Sequence, residues 1–106
     1  MKPDQKVVED AVNRIVTSVH PLSIFLFGSA VRGEMGPDSD LDFLVIVPDG
    51  ADRIVTTQKL HRQLRGLGHA KDIVVVEQRD VDAYRDNPYL IIHTALTQGK
   101  EIYRAA

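Results

Sequence analysis

The sequence predicts an α/β (α+β) domain, a small three- or four-stranded mixed sheet flanked by helices. Three observations carry this. Short, almost wholly apolar runs recur along the chain, in "LSIFLF", "LDFLVIV" and "DIVVVE", and such runs read as strands covered on both faces. Between them lie segments whose apolar residues repeat at helical spacing. Glycine and proline signals separate the two kinds of segment.

The elements follow in order. Val8, Val12, Ile15 and Val19 share one helical face, with Val7, Ala11 and Val16 beside them. Pro21 stops that helix near His20, because the residue before a proline disfavours the helical region. "LSIFLF" has few polar atoms on either face, which suits a central strand. Ser29 opens a short helix, "SAVRG". Leu41 to Val47 is the second strand, ended by Pro48-Asp49-Gly50. Asp52 caps a helix carrying Val55, Leu60, Leu64 and Leu67, with Gly66 and Gly68 as its stop. Asp72 to Glu77 is the third strand. A short helical piece covers Val81 to Arg85. Asn87-Pro88 reads as a cap with proline at the first helical position, opening a helix through Leu90, Ile91, Thr94, Ala95 and Gln98 that Gly99 closes. "KEIYR" makes a short last strand.

Bulk properties exclude several classes. A chain of 106 residues builds one core, so residues 1–106 read as a single domain. The apolar share of 43% and the charged share of 26% are those of a globular chain. A net charge of −2 gives no footprint for nucleic acid. The chain has no cysteine, which excludes disulfides and thiolate metal sites. "MKPDQKVVED" is no signal peptide, and no apolar run approaches the ~20 residues that span a bilayer. A cytoplasmic protein is the expectation.

The chemistry concentrates in Phe25 to Val47. Side chains alternate along an extended segment, so Asp40 and Asp42 point one way while Leu41 and Phe43 point into the core. Asp72 repeats the pattern of an acid followed by an apolar run. If its strand neighbours the second, three carboxylates converge. At ~5 Å and an effective dielectric of ~20, each ionised pair repels by roughly 3 kcal/mol. A cation would relieve that, and ligands that are all oxygen favour magnesium or manganese over zinc. Gly28 ends a strand where the backbone turns sharply and comes close to a ligand. Free N–H groups at the helix start after it suit phosphate, and the Ser29 hydroxyl adds a bond.

Gly28-Ser29, ten further residues, Ser39 and then Asp40-Leu41-Asp42 resemble the motif of the polymerase-beta-like nucleotidyltransferase superfamily. Gly33, Asp72 at the head of a later strand and the ending "GKEIYRAA" resemble its small stand-alone branch. Those are the minimal nucleotidyltransferases, which include antitoxins paired with HEPN-domain toxins. The specific part of the likeness is Phe27 to Asp42 plus Asp72. The resemblance implies the nucleotidyltransferase fold and transfer of a nucleoside monophosphate, AMP above all, from a triphosphate to a hydroxyl, using two magnesium ions or manganese. It implies that Asp40 and Asp42 hold both metals. Asp72 would bind the metal at the acceptor and help deprotonate the hydroxyl. Gly28 and Ser29 would hold the triphosphate. The acceptor it favours is a HEPN-type toxin, whose tyrosine would be adenylylated.

Other residues keep two readings. Arg32 suits a triphosphate oxygen bidentately and equally a solvated surface. Ser39 suits phosphate or its own turn. Asp38 reads as a turn residue. His20, His61, His69 and His93 share no metal-ligand spacing and read as structural or surface residues. The basic "HRQLR" stretch reads as a solvated helix face. Three alternatives to the protein adenylyltransferase stay open: an antitoxin that acts by contact, a transferase for a small-molecule acceptor, and a nucleotide sensor.

Overall fold

The structure is a computed structural model, and it describes residues 3–34, 36 and 39–106. Asp38, read above as a turn residue, lies outside the described residues. Among the described residues nine elements follow one another: α1 (Gln5–Val19), β1 (Ser23–Phe27), α2 (Ser29–Arg32), β2 (Leu41–Val47), α3 (Arg53–Gln63), β3 (Lys71–Glu77), α4 (Gln78–Tyr84), α5 (Ile91–Gln98) and β4 (Lys100–Arg104). The four strands form one mixed sheet in the order β3-β2-β1-β4. β1 runs antiparallel to both β2 and β4, whereas β2 and β3 are parallel. β1 and β2 are thus the inner strands, as their two-sided apolar character requires.

Strand alternation divides the apolar residues between two layers. Leu41, Phe43, Val45 and Val47 of β2 join Ile24, Leu26, Ile73 and Val75 against α1 and α3, which bring Val8, Ala11, Ile15, Leu60 and Leu64. Leu44 and Ile46 face the other way and cluster with Phe27, Val76, Val81, Ile92 and Ala95 beneath α4 and α5. Asp42 and Asp72 fall on this second face by the same alternation. Among the described residues no helix is long and apolar enough to cross a membrane.

Three helix boundaries differ from the sequence reading, each through contacts that spacing does not encode. α3 ends at Gln63, before the glycines. Arg14 of α1 donates from Nη1 to the carbonyls of Gln63 (3.3 Å) and Arg65 (2.8 Å), satisfying groups that a further turn would have used. α4 begins immediately after β3, three residues earlier than Val81. There the Glu77 N–H donates to Asp80 Oδ2 and the Arg79 N–H to Asp49 Oδ1, which supplies the start that composition hid. α5 begins at Ile91. Asn87 spends its side chain on the Tyr89 N–H and its carbonyl on the Leu90 N–H, a local turn that competes with capping.

Candidate active site

The site lies where β1 ends and β2 and β3 begin. In the β2–β3 ladder Asp42 and Asp72 are register partners. Register partners on parallel neighbours point to the same face, roughly 4.8 Å apart along the hydrogen-bonding direction. In the β1–β2 ladder Asp42 pairs with Phe27, so Gly28 follows directly beside it. The Gly28 backbone has φ 76° and ψ −150°, a region that a residue with Cβ rarely adopts. A Cβ there would overlap Asp42 Oδ2 and stand 3.2 Å from its Cγ. Glycine is therefore required twice, for the turn and for the close approach of the carboxylate.

Gly28 is also the N-cap of α2. Its carbonyl accepts from the N–H groups of Val31 (3.1 Å) and Arg32 (3.2 Å). Ser29 is consequently the first helical residue, as the sequence reading has it open this helix. Arg32 closes the short helix. Its Nε donates to Glu34 at 2.8 Å in an exposed pair, and its charge also reaches Asp42. Ser39 Oγ accepts from the Gly36 N–H at 2.9 Å, so in this structure its hydroxyl ties Ser39 to Gly36.

The electrostatics are those of crowded acids. Burial raises the Asp42 carboxyl above the ordinary carboxylate range, and the charges of Asp72 and then Asp40 raise it further, while Arg32 lowers it. Asp40 and Asp72 are exposed and Asp42 is half-buried. Among the described residues no three His, Cys, Asp or Glu side chains already stand close enough to enclose an ion. Asp42 and Asp72 are brought together by the sheet, and the exposed Asp40 lies near enough for its charge to act on Asp42. The donor set is entirely carboxylate oxygen and Arg32 offsets its charge only in part, which fits a hard divalent cation. An oxygen-ligated cation beside a glycine turn and a helix start can handle polyphosphate.

His69, read above as a structural or surface residue, makes a long-range contact here. His69 Nε2 lies 2.9 Å from the Ser39 carbonyl oxygen, across the gap between the segments that carry Asp40 and Asp72. Nothing in the spacing of the four histidines signals this.

The chain belongs to the nucleotidyltransferase domain family, whose model matches residues 6–104. Among curated proteins no sequence match is significant. Solved structures share the fold. A chain assigned as a nucleotidyltransferase from Sulfolobus solfataricus superposes with TM-score 0.65 at 19% identity, covering 93% of this chain and 78% of that one. A toxin–antitoxin structure with AMP-PNP gives TM-score 0.68 at 21% identity over 92% and 73%. A tri-AMPylated HEPN toxin in complex with MNT antitoxin, from Shewanella oneidensis, gives TM-score 0.52 at 21% identity over 94% and 68%.

Proposed function

We propose that the protein transfers AMP from ATP to a hydroxyl of a HEPN-type partner protein, most simply a tyrosine, and so acts as an antitoxin. The observation that carries this is the Asp42–Asp72 register pair set against Gly28. The family match supports the reaction class, and the toxin–antitoxin neighbours support the partner.

In this reading Gly28 and Ser29 hold the triphosphate, helped by Arg32 once it leaves Glu34, while Ser39 keeps the approach to Asp40 in shape. Asp40, Asp42 and Asp72 would hold magnesium or manganese. The bound ions would neutralise the triphosphate and stabilise charge that develops at the α-phosphorus. Asp72, the outermost acid on β3, takes the proton of the acceptor hydroxyl. The acceptor oxygen bonds to the α-phosphorus as the bridging P–O bond to pyrophosphate breaks.

Contact neutralisation is the second reading. Tyr89, Leu90 and Ile91 are exposed together at the start of α5, an apolar surface available to a partner. The two separate with labelled ATP and the product of the neighbouring gene, read by mass spectrometry for added AMP. Transfer by wild type and its loss in Asp40→Asn/Asp42→Asn support the enzyme. Silencing of the partner without AMP addition, or full neutralisation by the double variant, replaces it with the contact antitoxin.

A further inference from the structure

His69 stands in the loop between α3 and β3, three residues before Asp72. Its Nε2 is 2.9 Å from the backbone oxygen of Ser39. A carbonyl can only accept, so Nε2 carries the proton and donates. The ring is half-buried, which shields the bond from competing water.

This bond begins a continuous seam. Two residues past Ser39, the Leu41 N–H donates to the Ala70 carbonyl at 2.9 Å. The parallel ladder then runs through Leu41↔Lys71 to Asp42↔Asp72. On the other side of Ser39 the Gly36 N–H donates to its hydroxyl. Ser39 is therefore gripped through both side chain and backbone. Asp40 is the next residue. It precedes the first residue of β2 and lies outside the ladder that fixes Asp42 and Asp72. Among the described residues, bonds flank it on both sides, from His69 to Ser39 and from Leu41 to Ala70.

We infer that His69 is a positioning residue for the acidic site: its bond to Ser39 sets how Asp40 approaches the Asp42–Asp72 pair. The inference rests on the reading of the three carboxylates as a cation site, and the imidazole itself touches none of the reacting groups. Residues that orient ligands in this indirect way commonly govern affinity for the ion.

Two variants of the full chain test it. His69→Gln keeps a side-chain N–H donor with similar reach, and His69→Ala removes it. Calorimetric titration with manganese alone is expected to show affinity close to wild type for His69→Gln and about tenfold weaker for His69→Ala. Hydrogen exchange is expected to be faster at the Leu41 amide in His69→Ala than in His69→Gln, with β1 unchanged in both. A purely structural histidine would alter exchange without separating the two manganese affinities. Wild-type affinity in His69→Ala overturns the inference, and so does equal loss in both variants. Absence of saturable manganese binding in wild type, or undiminished binding in Asp42→Asn, would instead sink the reading of the site as a cation site. The bond from His69 would then be judged on Leu41 exchange alone, equal rates in the two variants overturning it.

Discussion

Glu77 accepts a hydrogen bond from the Gly50 N–H at 2.8 Å, joining the end of β3 to the turn after β2. The residue is 5% exposed and its carboxylate also receives the Arg79 guanidinium at 3.0 Å. The Gly50 bond, then the Arg79 bond, hold its carboxyl below the ordinary glutamate value. A depressed folded pKa contributes stability above the unfolded value, near ~4.3, and that contribution is lost as pH falls through the folded value. Glu77→Gln is therefore expected to melt at lower temperature than wild type at pH 7. The gap should narrow as pH falls below about 4. Thermal unfolding of both proteins across that range checks it, and a gap independent of pH refutes it.

Asp42 has the opposite sign. Its folded pKa is raised, so without bound cations its charge opposes folding, and the opposition fades as pH falls through the raised value toward the unfolded one. Asp42→Asn should leave the metal-free protein as stable as wild type or more stable by a few tenths of a kcal/mol, the repulsion being screened at a site open to water. Nucleotide transfer should fall on the order of a thousandfold. Unfolding and transfer assays on one preparation measure both, and a destabilised variant would mean that Asp42 serves the fold.

Gly28→Ala should lose on both counts. The new Cβ meets Asp42 Oδ2 and the backbone has positive φ. A cost of about 1–3 kcal/mol in stability is expected, with ATP affinity reduced further than the stability loss alone explains. Gly33→Ala, where a Cβ has open space, is the control: it has positive φ in the milder left-handed helical region and no collision. Equal ATP affinity in the two variants would show that the Asp42 approach is irrelevant.

Removal of divalent ions should weaken ATP binding strongly, since the triphosphate would face Asp40, Asp42 and Asp72, all of its own sign. Calorimetry with magnesium and then with excess chelator measures this. Equal affinity in both would leave the Gly28–Ser29 turn as the whole binding site.

The strands were legible because burial on both faces leaves a run of apolar residues that needs no context. "LDFLVIV" spans β2 from end to end, and β3 starts one residue before the expected Asp72. Helix ends were less legible because distant groups set them, Arg14 for α3 and Asp49 for α4. Period-two spacing placed Asp40 and Asp42 on one side. It could not say that β3 lies beside β2, since parallel pairing comes from a crossover and not from a turn. The bond from His69 to Ser39 spans 30 positions and leaves no mark on composition or period.

The placement of β4 bears on how the chain avoids clumping while it folds. β1 is a short apolar strand that ends at Phe27, and the strand covering its outer edge begins only at Lys100. On a growing chain "SIFLF" can pair with β2 early, yet its other edge stays exposed until almost the whole domain has been synthesised. An open apolar edge invites pairing with other chains. The strand that finally closes it carries Lys100, Glu101 and Arg104, charges that make the new border of the sheet a poor template for a neighbour. The last strand thus replaces a sticky margin with a soluble one.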